Sequence, residues 1–177
     1  MIAVSTISKP FELMKSFFIC LLASFLIGLF ASLKIYVPFT PVAYVLQMQL
    51  IFTLALFLGP KKASFATILF LFQGVLGLPV LPGPTSFTLS LGYYIGWLFA
   101  AYSIGCMAEK KRTYLNAFFS IMFANYVIIY FCGAFVLSFY IGIKSAILLG
   151  VLPFIIPDLI KNLLIIKLLK SLNWEEK

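Results

Sequence analysis

The sequence predicts an all-α integral membrane protein with six transmembrane helices, forming a single domain over residues 1–177. Hydrophobic residues make up 63% of the chain and charged residues only 10%, with a mean hydropathy of +1.12. A soluble domain carries roughly 25% charged residues, because water must solvate its surface. Apolar runs long enough to cross about 30 Å of hydrocarbon recur along the chain, so lipid is the expected environment.

Proline, glycine and charged residues separate these runs and set the predicted helix boundaries. The first run follows Lys9 and Lys15 and is longer than the apolar part of a signal peptide, so it is predicted to be a membrane helix. Pro38 and Pro41 follow it, and Gly59-Pro60-Lys61-Lys62 predicts a tight turn. The six predicted helices span residues 14–34, 43–59, 63–77, 88–108, 114–140 and 145–170.

Basic residues predict the orientation, since cytoplasmic loops are enriched in Lys and Arg. With both termini inside, only Lys34 and Lys144 lie outside, and Lys161 lies within the bilayer. The remaining ten of the 13 basic residues lie inside: Lys9, Lys15, Lys61, Lys62, Lys110, Lys111, Arg112, Lys167, Lys170 and Lys177. We therefore expect a multi-pass protein of the cytoplasmic membrane with cytoplasmic termini. This placement also explains the net charge of +8 without a nucleic-acid partner.

Several kinds of chemistry lack their usual residues. No Gly-Lys-Ser or Gly-Lys-Thr phosphate-binding loop occurs, so ATP-driven transport would need another subunit. The chain has no histidine, and its three cysteines are far apart, so no metal site is predicted. A membrane enzyme would need paired carboxylates, a metal set or an activated nucleophile, which makes this alternative weak.

One acidic and one basic residue lie midway along the last predicted helix. Asp158 and Lys161 are three positions apart and share a helical face. A charge at that depth costs about 2.5–3.5 kcal/mol on insertion scales, and such groups usually mark a solute pathway. The alternative is an ion pair that only fixes packing, as expected of a structural membrane protein.

Uncharged polar residues are predicted to gather in the outer half of the membrane, above Asp158. They are Gln47, Gln49, Gln73, Thr88, Ser90, Tyr93, Tyr94, Asn125 and Tyr126. Of these, Gln47, Gln73, Tyr93 and Asn125 are the candidate ligand contacts. An outward-facing cavity would satisfy them together, since an unpaired amide in lipid costs several kcal/mol. Hydrogen bonding between helices is the alternative for each one alone. Trp97 is predicted instead to lie in the interfacial aromatic belt.

Two Pro-rich outer connections, residues 37–42 and 77–85, are predicted to cover this cavity. Phe39 and Thr40 in the first and Pro79 in the second are expected to contact an apolar solute. On the first helix, Ser24, Gly28 and Ser32 form a stripe of small residues that lets another helix approach closely. Spacing alone favours a helix of the same chain, and a separate subunit is the alternative.

Several motifs in their order along the chain resemble the BioY family, the biotin-binding S components of energy-coupling-factor (ECF) transporters. They are Pro38-Phe39-Thr40-Pro41-Val42, Leu46-Gln47, Leu58-Gly59-Pro60, Gly74-Val75-Leu76-Gly77-Leu78-Pro79-Val80, Gly92-Tyr93, Gly96-Trp97, Gly150-Val151-Leu152-Pro153-Phe154 and Pro157-Asp158 with Lys161. The resemblance covers about residues 20–170. The family's Gly-rich stretch after the third helix departs here, where residues 82–87 read Pro-Gly-Pro-Thr-Ser-Phe.

The resemblance implies an S-component bundle that binds biotin from outside, needs no cofactor, and works with a transmembrane T protein and two ATPase subunits. A stand-alone biotin transporter, or an S component for a related vitamin, is the alternative. It implies that Ser24, Gly28 and Ser32 dock on the T protein. Asp158 would then accept a ureido N–H and Lys161 would pair with the carboxylate, with Gln47, Gln73 and Asn125 completing the ureido contacts.

Overall fold

A computed structural model of the chain describes residues 3–32, 34–35, 42, 44–81 and 84–176. Seven α-helices account for most of them: α1 (Ala3–Leu29), α2 (Gln47–Val75), α3 (Pro84–Lys110), α4 (Tyr114–Phe123), α5 (Tyr130–Ile141), α6 (Ile143–Gly150) and α7 (Ile155–Ser171). A π-helix, Ala124–Ile129, joins α4 to α5 without a break. Short 3-10 helices follow α1, α6 and α7, at Phe30–Ser32, Leu152–Phe154 and Trp174–Glu176.

The α2 helix doubles back on itself at Gly59. Its φ and ψ of 77° and 176° are not helical, and Pro60 follows it inside the element. A straight helix over Gln47–Val75 would be about 43 Å long at 1.5 Å per residue. Instead Gln47, before the turn, hydrogen-bonds the carbonyl of Val80, beyond the far end of the element. The two arms of α2 therefore start and finish at the same end of the molecule.

The turn of α2 packs against α3. A Cβ atom on Gly105 would overlap the backbone of Pro60, so only glycine lets α3 approach the turn this closely. The Gly59-Pro60 pair thus acts as the predicted turn between the second and third predicted spans. The remaining boundaries agree with the predicted helices to within a few residues, except at α1, which begins eleven residues earlier, at Ala3, and ends five residues earlier, at Leu29.

Besides the π-helix, two features were not predicted from the sequence. A short antiparallel hairpin pairs β1 (Lys34–Ile35) with β2 (Tyr44–Val45), with Lys34 opposite Val45. The last predicted helix is also interrupted between α6 and α7. Pro153 lies in this interruption, and the Phe154 N–H bonds the Val151 carbonyl in a 3-10 turn rather than continuing the α-helical pattern.

Within the part of the chain that the structure describes, five helical segments are long and apolar enough to cross a membrane: Pro10–Leu29, Gln47–Val75, Phe87–Lys110, Tyr114–Ile141 and Ile143–Ser171. They surround a core built largely of aromatic and small residues from α2, α3 and α5. Many large apolar side chains face outward, including Phe131 at 70% and Phe139 at 73% exposure. Such a surface requires lipid around it, so the chain is a multi-pass membrane protein.

The two ends of the bundle differ. One end carries the hairpin, the residues that follow α2 and the start of α3. The other carries the Gly59 turn, the α3–α4 connection and the end of α7. At this second end Arg112 donates from Nε to the Trp174 carbonyl over 2.8 Å and lies over the indole ring. These contacts fasten the C-terminal 3-10 helix to the α3–α4 connection.

Candidate ligand-binding site

A cavity lies near the hairpin end between α2, α3, α5 and α7, and its empty space, including the open space at its mouth, is about 700 Å³. The residues that line it are Val42, Val45, Gln47, Met48, Val80, Ser90, Tyr93, Tyr94, Trp97, Ile129, Tyr130, Phe154, Asp158 and Lys161. The wall is thus mostly apolar and aromatic, with a few polar groups.

The interruption before α7 brings Asp158 to this cavity. It puts Asp158 in the first turn of α7, where unpaired backbone N–H groups and the helix dipole favour a negative charge. The Gly150 carbonyl, at the end of α6, accepts a hydrogen bond from the Tyr93 hydroxyl over 2.7 Å. A neighbouring helix therefore satisfies a carbonyl at the break, as a discontinuous membrane helix requires.

Asp158 and Lys161 meet on one face of α7. The Lys161 ammonium lies 2.6 Å from Asp158 Oδ1. The Lys161 side chain is 17% exposed and the Asp158 side chain 3%. The two charged groups therefore form a close ion pair. The other carboxylate oxygen, Oδ2, accepts a hydrogen bond from the Tyr130 hydroxyl over 2.8 Å.

Two polar groups of the cavity also hold the connections at its rim. Lys161 Nζ donates to the Val45 carbonyl of β2 over 3.3 Å. Gln47 Nε2 donates to the Val80 carbonyl, also over 3.3 Å. Val42, Val45 and Val80 themselves line the cavity. Parts of both connections therefore lie over the cavity, as predicted for them.

Aromatic side chains of α3 form one wall. Tyr94 packs edge-on against Trp97, with ring centroids 4.9 Å apart, and stacks on Phe87 at 5.6 Å. Trp97 also contacts Phe70 of α2. Because Trp97 is only 3% exposed, its predicted place in an interfacial belt is wrong. This wall offers flat apolar surface to a ring-shaped solute.

The structure brings together only some of the predicted site residues. Gln47, Tyr93, Asp158 and Lys161 line the cavity, whereas Gln73, Pro79 and Asn125 are not among its lining residues. Phe39 and Thr40 lie outside the described residues. Ser90 and Tyr94, which belong to the polar set predicted around the cavity, also line it. Trp97 and Tyr130 line it without having been predicted to face it. The spacing of Tyr130 does not distinguish it from the many other aromatic residues of the spans.

Gln73 and Asn125 lie within helix contacts. Gln73 Nε2 donates to Ser24 Oγ over 2.8 Å, which joins α2 to α1 inside the bundle. Pro79 is exposed at the surface. Asn125 belongs to the π-helix and is fully buried, and its amide has no hydrogen-bond partner among the described residues. Packing sets the rotation of each helix about its axis, and this rotation directs the Gln73 and Asn125 side chains away from the cavity.

The small-residue stripe of α1 also faces inward. Ser24 is fully buried against Gln73. A Cβ atom on Gly28 would lie 3.0 Å from a methyl group of Val80, so this position is covered by the chain itself. The side chain of Ser32 lies outside those described. Ser24 and Gly28 thus make contacts within the chain, and the docking of this stripe on a separate subunit stays a prediction.

Comparisons with known proteins agree with this geometry. The family model described as the BioY family matches residues 4–176. A protein of Thermotoga maritima named "Biotin transporter BioY" is 38% identical over 136 residues, which cover 71% of this chain and 77% of that protein. A "Probable biotin transporter BioY" of Rickettsia prowazekii is 36% identical over 144 residues, covering 78% and 74%.

A solved structure is similar over nearly the whole fold. It is a crystal structure of the S-component for biotin from an ECF-type ABC transporter. It matches with a TM-score of 0.77 and 26% identity, and the match covers 92% of both chains. The fold is therefore that of an S component, as the order of the sequence motifs predicted. From the family match and these relatives together, the chain belongs to the BioY family.

Proposed function

We propose that this chain binds biotin from outside the cell as the substrate-specific subunit of an ECF-type importer. The observation that carries the proposal is the Asp158–Lys161 ion pair, which lies inside the bundle and lines an aromatic-walled cavity. Charges are kept inside a membrane where a solute uses them. Membership of a transporter family also sets aside the alternative of a membrane enzyme.

Biotin complements the cavity group by group. Its fused rings are apolar and suit the Tyr94–Trp97 wall, and its ureido group carries two N–H donors and one carbonyl. An Asp158 oxygen accepts one ureido N–H, while the Lys161 ammonium pairs with the carboxylate. Gln47 is the remaining polar residue of the predicted ureido contacts that lies at the cavity. Unpaired donors or acceptors would cost an analogue about 1–3 kcal/mol each, which is how the site discriminates.

The distribution of basic residues supports an outward-facing cavity. The end opposite the cavity carries Lys61 and Lys62 after the Gly59 turn, residues 110–112 after α3, and Lys167 and Lys170 in the last turns of α7. Under the positive-inside rule this end is cytoplasmic. The fold-back at Gly59 divides Gln47–Val75 into two passes, which makes six in all. Both termini then lie on the cytoplasmic side of the membrane.

The partners follow from the proposed role as a subunit. The chain shows no phosphate-binding loop of its own, so uptake against a gradient needs a transmembrane T protein and two ATPase subunits. The resemblance implies that the T protein docks on the part of α1 that carries Ser24, Gly28 and Ser32, and this docking stays a prediction. Biotin uptake by cells that lack these subunits would instead support a stand-alone transporter.

Equilibrium binding of labelled biotin to the purified protein tests the proposal. We expect a dissociation constant below about 1 μM, with label displaced by unlabelled biotin and not by vitamins without a ureido group. Because residues 82–87 depart from the family's Gly-rich stretch, a related vitamin should be included among the competitors. Displacement by that vitamin at lower concentration than by biotin would contradict the choice of ligand.

A further inference from the structure

A tyrosine that the sequence did not mark holds the carboxylate of the candidate site. The Tyr130 hydroxyl donates to Asp158 Oδ2 over 2.8 Å, and both side chains are buried. Tyr130 also lines the cavity. It therefore contacts the acid directly from a neighbouring helix, whereas Lys161 contacts it from the same helix.

A second tyrosine fixes the position of the first. Tyr126 lies one turn earlier, in the π-helix, and its ring packs edge-on against Tyr130 with centroids 5.4 Å apart. The Tyr126 hydroxyl donates to the Ile155 carbonyl, at the start of α7, over 2.7 Å. The two hydroxyls thus bind α7 at positions 155 and 158, about one turn apart. This double contact sets the rotation of α7 relative to Tyr130.

The backbone supports the same arrangement. Tyr130 is the first residue after the π-helix, and π-helical turns in α-helices frequently occur at functional sites. A Cβ atom on Gly96 of α3 would lie 2.9 Å from Ile129 Cα, so glycine is needed where α3 packs on the end of the π-helix. The path of the chain before Tyr130 is therefore closely constrained by α3.

The geometry leaves hydrogen-bonding capacity on both members of the ion pair. Ionised carboxylates accept at both oxygens, and a lysine three residues away could occupy both. With Oδ2 taken by Tyr130, the Lys161 ammonium contacts Oδ1, 2.6 Å away. A lone pair of Oδ1 is then left for another donor, and the ammonium, which also donates to the Val45 carbonyl, retains a proton for another acceptor.

We propose that Tyr130 is a positioning residue that keeps the Asp158–Lys161 pair open to a solute. By holding Oδ2, it leaves Oδ1 to accept one N–H of the ligand and leaves Lys161 to bind a ligand anion. The class of ligand is therefore a molecule that carries both an N–H donor and an anionic group. This inference rests on the proposed function and assigns part of the selectivity of the same site to Tyr130, a lining residue that acts through Asp158.

Replacing the hydroxyl tests the inference. Tyr130→Phe removes one oxygen atom, and we expect about a tenfold loss of biotin affinity, as for a lost hydrogen bond to a charged group. Tyr140→Phe, an exposed position on α5, is the matched control and should bind like the unmodified chain. The apo melting temperatures of both variants are measured in the same detergent, and a Tyr130→Phe affinity loss beside an unchanged melting temperature supports a positioning role.

A double-mutant cycle separates positioning from packing. In an Asp158→Asn background, Tyr130→Phe should cost less than about threefold further, because the carboxylate that it positions is gone. An undiminished tenfold loss in that background would overturn the role of Tyr130 while leaving biotin binding intact. Absence of biotin binding by the unmodified chain would overturn the proposed function, and this inference with it.

Tyr126→Phe gives a second test that does not touch the acid. It should loosen Tyr130 indirectly, with a smaller affinity loss that again disappears in the Asp158→Asn background. This variant replaces the first one if Tyr130→Phe does not fold. A Tyr126→Phe loss of the same size in both backgrounds would count as a packing effect and would contradict the proposal.

Discussion

Two buried polar clusters of this bundle look alike in the sequence and differ in the structure. In the first, between α1 and α2, Gln73 donates to Ser24 and the pair is enclosed by neighbouring helices. In the second, Asp158, Lys161 and Gln47 face a cavity, and part of their hydrogen-bonding capacity is left unused. We refer to these as the closed cluster and the open cluster.

The difference shows what a polar residue inside a membrane helix indicates. A hydrogen bond between two helices stabilises a membrane protein by about 0.6 kcal/mol on average, so the closed cluster needs no function to explain it. The open cluster contains a buried charge pair, whose desolvation is costly and is not repaid by packing alone. Within the described part of the chain, Gln73 Oε1 in the closed cluster also lacks a hydrogen-bond partner, so polarity at depth predicts function only where the group faces a cavity that a solute can enter.

The largest effect on biotin affinity is expected at Lys161, because its removal leaves Asp158 without a counter-charge. Lys161→Met should weaken biotin binding by about 30-fold or more, since truncating one partner of a buried pair costs about 2–5 kcal/mol. Binding of biotin carboxamide, which lacks the negative charge, should fall much less. Equal losses for the two ligands in the binding assay would show that Lys161 does not pair with the carboxylate.

Lys144→Met is the matched control for this change. Lys144 is exposed at the cavity end of the bundle, near the start of α6, so it contributes the same charge at a distance from the cavity. We expect its biotin affinity to remain within about twofold of the unmodified chain, since exposed charges are screened by solvent. A large loss there would indicate long-range attraction of the ligand rather than a specific contact.

The sequence predicts most of the helices because their boundaries depend on local chemistry. Gly59-Pro60 gives the turn of α2, and residues 109–112 give the α3–α4 connection. The hairpin and the π-helix were missed because tertiary packing creates them: β1 and β2 have only two residues each, and Gly96 of α3 packs against the π-helix. Neither the hairpin nor the π-helix has a hydrophobic periodicity that could be recognised in the sequence.

For the site, the sequence predicted how deep in the membrane the polar side chains lie, but not which way each helix turns them. Asp158 and Lys161 were identified because charges at mid-membrane are rare. Gln47 and Gln73 were equivalent candidates, and only the packing of the two arms of α2 turns one to the cavity and the other to Ser24. Tyr130 was missed because it is one of 9 tyrosines in a chain with 20 phenylalanines, so its residue type carries little information.

An intermediate effect is expected at Gln47, which belongs to the open cluster and holds the Val80 carbonyl. Gln47→Leu should lower biotin affinity about fivefold to tenfold, as for the loss of one neutral hydrogen bond. Gln49→Leu is the control, because Gln49 is equally buried two residues away and is not among the lining residues. A titration in which both variants lose affinity equally would show that Gln47 acts through the fold of α2.

The smallest effect on binding is expected at the closed cluster. Gln73→Leu removes the hydrogen bond to Ser24 and should leave biotin affinity within about twofold, while the apo protein loses about 0.6–1.7 kcal/mol of stability. Ser24→Ala should lower the melting temperature similarly, and the double variant should lose little more, since one bond is shared. If Gln73→Leu instead weakened biotin as much as Gln47→Leu without lowering the melting temperature, the Gln73 amide would have to reach the ligand. The two clusters would then form one continuous site, because a hydrogen bond that only joins α1 to α2 cannot change ligand affinity while leaving the apo fold equally stable.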